Sequence, residues 1–337
     1  MKKIFVCAIL AVLVISTIIV NKVLALQNVQ MKDSDYAKNM YSPAFPLVYE
    51  DLKNEIVKGK VEFVGYHSSM IDVLDSLDSP ENRLSEEFYY KIIAKRTPEY
   101  KRKIEYDIKK KFNEKSSILD MISWKPGDER DIVLYSMVKK NVEFLKYFEI
   151  LEPMSFNNSK IDIKYFGTKD KLRFFKTQIK PLFYKDENNY AVSLKTKTGD
   201  EVILYTGDFK DKTVHQIWGD LNKKIKPDSF KNDDKFLAPF IDIKQLISYD
   251  DFAGKEIKGT DYKIAKAIES VEFSLDNKGA KLKNEAMIMM ETCALRPDVQ
   301  QRYFYFDKPF VLFMKEEGHS LPYFMVKIED TKYLVKP

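Results

Sequence analysis

The hydrophobic pattern of this chain changes period near Ile132, and that change limits the architectures open to it. Downstream, Asp131–Val138 is a run that predicts a buried strand, while Ile161–Phe166 and Tyr190–Leu194 alternate apolar and polar residues. Glu201–Tyr205 follows a Lys-Thr-Gly-Asp turn. Lys235–Ile243, Ser270–Leu275, Phe310–Met314 and Tyr323–Ile328 add further strands. Upstream, residues 83–122 are dense in Lys, Glu, Tyr and Ile, with apolar positions at helical spacing (Tyr106, Ile108 and Phe112, then Ile118, Leu119 and Ile122). Ser79-Pro80-Glu81 and Thr97-Pro98-Glu99 read as helix starts, with proline in the first turn and an acid behind it. Val214–Leu221, carrying Trp218, predicts one short later helix. Helices early and strands late specify an α+β domain rather than alternating βαβ units.

No repeat, low-complexity tract or Pro/Gly/Ser-rich linker interrupts the chain, so 26–337 reads as a single domain. With 45% of 337 residues hydrophobic it has enough apolar surface for a substantial core. The first 25 residues have two lysines, then an uncharged apolar run from Ile4 to Val20, then Val23-Leu24-Ala25 at a peptidase site. That is the pattern of a secretory signal peptide, with an uncleaved membrane anchor as the alternative. The protein is therefore expected outside the cytoplasm, and membrane contact is expected only if the segment stays. Its removal leaves one cysteine, Cys293, and no internal disulfide.

Charge and motifs exclude several functions. Of the net charge of +5, three belong to Lys2, Lys3 and Lys22, leaving +2 and no basic excess for nucleic acid. The glycines form neither GxGxxG nor GxxxxGK[ST] spacing, so no nucleotide cofactor is expected. His67, His215 and His319 are too scattered for a metal site. No nucleophile, base and orienter can be assembled by motif, so the chain does not read as an enzyme. Asp233-Asp234 and Asp250-Asp251 read as solvated turns, Lys109–Lys111 as the wet face of a helix, and Tyr303–Phe306 as a core strand.

The last third carries a more specific pattern. Ile268–Gly279 is a strand leading into a turn, and a long stretch without turn residues follows, up to Arg296-Pro297. Phe306-Asp-Lys-Pro-Phe310 and Pro322-Tyr-Phe-Met-Val-Lys-Ile328 come next. In order and spacing these resemble the C-terminal end of the serpins, where a strand, a hinge and an exposed reactive loop precede two closing strands. Weaker likenesses lie upstream. Leu237-Ala-Pro-Phe240 is similar to a serpin strand start, and Ser116–Ile122 to the end of the helix that crosses the main sheet. Val133–Phe148 is similar to the central strand, and Asn39-Met-Tyr-Ser-Pro43 to an early Asn-x-x-x-Ser-Pro motif. Departures are equally plain. Phe45, Ser136, Lys140 and Phe144 stand where the family has Ser, Asn, Phe and Trp, and Asn277 stands where the hinge has Glu. The alanine run after the glycine is absent, and the span from Pro43 to Ser116 is short.

The resemblance implies helices packed on a large mixed or antiparallel sheet, with a reactive loop at about 280–305. It implies a monomeric inhibitor acting as a suicide substrate on a serine or cysteine protease: the loop is cleaved and inserts as a strand. The implied hinge is Asn277, Lys278, Gly279 and Ala280, and the implied reactive bond is Cys293–Ala294, with Arg296 as an alternative weakened by Pro297. An inserting strand needs period two. Ala280, Leu282, Asn284, Ala286, Ile288, Met290 and Thr292 form one small or apolar set broken only by Asn284; the intervening positions hold all the charges. An ordinary half-buried strand would show the same alternation. A serpin-fold binding protein without inhibition, or an unrelated anchored surface protein, are the other readings. Cys293 is either an exposed thiol or a small apolar filler.

Overall fold

The computed structural model describes residues 26–125, 130–169, 175–282 and 302–337. In chain order the strands are β1 (Gln27–Gln30), β2 (Met40–Tyr41), β3 (Tyr89–Lys95), β4 (Ile132–Val138), β5 (Lys140–Glu143), β6 (Glu149–Ser155), β7 (Asp162–Gly167), β8 (Ile179–Asp186) and β9 (Asn189–Lys195). They continue with β10 (Glu201–Thr206), β11 (Lys235–Pro239), β12 (Ile241–Ser248), β13 (Ile268–Asp276), β14 (Gly279–Leu282), β15 (Tyr303–Tyr305), β16 (Phe310–Lys315) and β17 (Phe324–Ile328). The α-helices are α1 (Ala44–Asp51), α2 (Ser69–Ser76), α3 (Pro98–Phe112) and α4 (Val214–Lys224).

The strands form a five-stranded sheet β1-β12-β13-β14-β5, a six-stranded sheet β2-β17-β16-β10-β9-β8, a four-stranded sheet β15-β11-β7-β6 and the pair β3-β4. Most pairs are antiparallel, while β1-β12 and β11-β15 are parallel, so the fold is α+β with mixed sheets. Only Lys139 separates β4 from β5, so the β3-β4 pair is the lower continuation of the five-stranded layer. Period-two strands such as β13 put Glu269, Val271, Phe273 and Leu275 inward, opposite Ile247, Gln245, Ile243 and Ile241 of β12. The six-stranded sheet is buried on both faces. One face joins the main core, and on the other Ile203, Val311 and Phe313 pack against Ile217, Trp218 and Leu221 of α4.

Several elements differ from the pattern-based expectation. Tyr89–Lys95, inside the stretch expected to be helical, is strand β3, because its apolar residues pair register for register with β4. The helix of that stretch is α3, begun by Thr97-Pro98 as expected. It buries Ile104, Ile108 and Phe112, while Tyr106 is left 65% exposed on its far side. Helix α3 ends at Asn113 (φ 55°), so Ser116–Ile122 is a loop with a short 3-10 turn rather than a helix end. Lys235–Ile243 is two strands in two sheets, divided at Phe240.

Candidate functional site: a cleft in the main sheet

The turn after β13 is built from its own polar atoms. Asp276 Oδ1 accepts from the Lys278 and Gly279 amides (2.7 and 3.2 Å). The Asn277 and Lys278 carbonyls accept from the amides of Phe148 and Phe144 (2.8 and 2.7 Å), and Asn277 Nδ2 donates to the Phe148 carbonyl (3.1 Å). The chain then re-enters the sheet as β14, which lies between β13 and β5. Ala280 is paired with Leu275 on one side and Val142 on the other, and is fully buried. Gly279 is required by space: a Cβ there would fall 2.1 Å from the Val142 carbonyl oxygen.

Below β14 the two neighbouring strands separate. β4 pairs with β3 on one edge, and Ile268–Phe273 of β13 pair only with β12, so their facing edges meet no strand among the described residues. Between them lies a cleft of about 130 Å³, bounded by Leu134–Lys139, Ile268–Glu272, the N-terminal turn of α1 and Ser116–Ile118.

Both banks are fastened to the chain that enters α1. From β4, Ser136 Oγ donates to the Ala44 carbonyl (2.7 Å). From β13, Glu269 accepts from Ser42 Oγ (2.8 Å) and the Phe45 amide (3.2 Å) at Oε1, and from Tyr249 Oη (2.9 Å) at Oε2. Burial raises the Glu269 carboxyl; the bonds from Ser42, Tyr249 and Phe45 oppose it without bringing it back to the ordinary range. Across the cleft Ser117 Oγ lies 2.9 Å from Ser270 Oγ.

A second buried polar cluster sits at the tip of β14. Lys140, paired with Leu282, is 3% exposed; its ammonium lies 3.0 Å from Asp200, 2.8 Å from Glu316 and 3.7 Å above the Phe88 ring. Burial would raise the Glu316 carboxyl, but hydrogen bonds from Lys140 and Ser85 hold it below the usual range. Phe144 is buried in an aromatic group with Phe148 and Phe166.

Of the residues singled out by sequence, Asn277, Lys278, Gly279 and Ala280 form the turn and the first part of β14. Cys293, Ala294 and Arg296 lie outside the described residues, as does the N-terminal segment 1–25. Among the described residues no helix is long and apolar enough to cross a membrane. Asp234 corrects the solvated-turn reading: it is fully buried. Arg302 forks onto it (2.9 and 2.6 Å) while also reaching Asp228 (2.8 Å). Asp250 and Asp251, in contrast, do lie at an exposed turn. Sequence reading missed Glu269 and the ion pairing of Lys140. The available signal was a charged residue at an inward position of an alternating strand, Glu269 in phase with Val271 and Phe273.

No protein-family model matches the sequence, and no curated protein sequence matches it. Among solved structures the fold is similar to Serpin48, described as a highly specific serpin in the insect Tenebrio molitor (12% identity, 84% of this chain and 97% of that one, TM-score 0.44). It is likewise similar to thyroxine-binding globulin in complex with thyroxine (11%, 88% and 93%, 0.49). A serpin from the trematode Schistosoma haematobium is a third (11%, 78% and 82%, 0.45). At these identities and TM-scores the likeness is one of fold alone.

Proposed function

We propose that the chain is an exported protease inhibitor that works as a suicide substrate, with the cleft between β4 and β13 as the receiving site. A serine or cysteine protease attacks the carbonyl of Cys293, releases the Ala294 amine and stays acyl-linked. The freed strand then extends β14 down the cleft and carries the protease with it. One observation carries this reading: β14 is paired on both sides, and the strand edges directly below it meet no strand among the described residues. An added strand would supply backbone partners to both edges at once, each such bond contributing roughly 0.5–1.5 kcal/mol. The register supports it as well. Ala280 faces the core, so continuing β14 by the same alternation directs Asn284, Ala286, Ile288 and Met290 inward and Lys283 and Glu285 outward.

A second reading, a binding protein of this fold that does not inhibit, is favoured by the Ser117–Ser270 contact across the cleft and by the Asn277 amide bond that secures the turn. Incubation with trypsin-like, elastase-like and papain-like proteases decides between them. Inhibition predicts an SDS-stable adduct, a first cut at Cys293–Ala294 and a higher melting temperature for the cleaved chain. Turnover of the loop without adduct, with intact and cleaved chains melting alike, overturns it.

A further inference from the structure

Below the cleft the space widens into a second cavity of about 530 Å³, with Phe45, Val48, Leu134, Tyr135 and Ile268 common to both walls. Its interior is apolar, lined by side chains such as Leu52, Phe63, Ile122, Val133 and Ile264. Its polar lining includes a cluster where β4 begins. Arg96 donates to the Ser123 carbonyl (3.0 Å) and pairs with Asp131, and Lys266 Nζ donates to the Met121 carbonyl (3.0 Å). Met121 and Ser123 are two residues apart, which brings the Arg96 and Lys266 heads to one end of the cavity. With Lys263, the described lining of the cavity holds three cations and one carboxylate, Asp131. A volume of this size, an apolar interior and a few polar groups are the properties of a small-molecule site, typically about 300–1,000 Å³.

We propose that this cavity binds a lipophilic monocarboxylate, an extended alkyl chain lying along Val133, Ile264 and Leu52 and its carboxylate against Arg96 and Lys266. The apolar wall recognises the chain by removing it from water. The cationic rim prefers a carboxylate to an uncharged head, since exposed charges still discriminate by sign. Leu134, Tyr135 and Ile268 line both this cavity and the cleft, so the proposal concerns the intact chain, before any strand enters the cleft.

Titration of the full chain with laurate, followed by calorimetry and by the melting temperature, tests this, with dodecyl alcohol as the uncharged analogue. The expected result is saturable binding at one site per chain, with laurate tighter than the alcohol. Lys266→Glu should weaken laurate about tenfold and leave the alcohol unchanged. Ile264→Trp, which fills the cavity, should weaken both ligands. Absence of saturable laurate binding to the wild-type chain overturns the proposal. So does laurate affinity that folded Lys266→Glu and Ile264→Trp chains both retain. Equal affinity for laurate and the alcohol overturns the assignment of the carboxylate.

Discussion

Lys140 on β5 is ion-paired at 2.8 Å to Glu316, the residue after β16, so a strand of one sheet is tied to a turn of another exactly where β14 ends. With Asp200 also 3.0 Å away, the ammonium balances two buried or nearly buried carboxylates. Lys140→Met preserves length but leaves both acids unpaired in a low-dielectric setting. The expected loss is about 3–5 kcal/mol in urea unfolding. A loss below about 1 kcal/mol would show that the cluster is hydrated and contributes little.

Gly279→Val tests whether β14 depends on close backbone approach. The added Cβ falls 2.1 Å from the Val142 carbonyl oxygen, a distance that only backbone movement relieves. Displacement of β14 should speed hydrogen exchange of the amides in Asn141–Glu143 and Gly279–Lys281. The accompanying loss of stability should be about 1–3 kcal/mol. Unchanged exchange in both strands would mean that β14 is not held between β13 and β5 in solution.

Arg302 is the first described residue before β15, and its fork onto the buried Asp234 fixes β15 beside β11. Arg302→Lys keeps the charge but cannot make two parallel bonds. It should destabilise by about 1–2 kcal/mol, and Asp234→Asn by more, since the first leaves an acceptor oxygen of the buried Asp234 unmet and the second a donor of the part-buried guanidinium. Equal stability of wild type and both variants in urea would contradict this pairing.

Two buried groups set opposite slopes of stability against pH. Burial, reinforced by nearby Arg83, lowers the His215 imidazole to about 3, so the folded state keeps it neutral against the Tyr41 ring 4.8 Å away. The unfolded chain takes up a proton below its ordinary value of 6.5, so this stability is complete above 6.5 and drains as the pH falls toward 3. The shift corresponds to on the order of 5 kcal/mol at full effect. Glu269 works the other way: its raised carboxyl favours the protonated fold. That contribution is complete below the ordinary value of 4.5 and is lost as the pH rises through the raised one. Melting curves over about pH 3 to 8 should show a shallower fall toward acid for His215→Phe and a shallower fall above pH 4.5 for Glu269→Gln. Parallel curves for all three proteins would refute both assignments.

Most strands downstream of Ile132 were legible because half-buried strands impose period two on side chains, whatever they pair with. The order of strands in the last third was legible through Phe306–Phe310 and Pro322–Ile328, which form or flank strands of one buried sheet. Strand β3 was not, because its Lys and Tyr residues look helical until β4 is beside them to pair with. Asp234 was misread for a related reason. Two adjacent acids suggest water, and nothing local announces the arginine 68 positions away that buries one of them.

The alternation of β13, the glycine and small residue that follow it, and the re-entry strands are local properties, fixed by side-chain period and turn chemistry. The edges of β4 and β13 that meet no strand among the described residues, the pairing of Glu269 with Ser42 and Tyr249, and the Lys140–Asp200–Glu316 cluster depend on residues far apart in sequence. Only the tertiary structure decided them, because an unmet strand edge and a buried charge are defined by what the folded chain brings near them and by the water it keeps away.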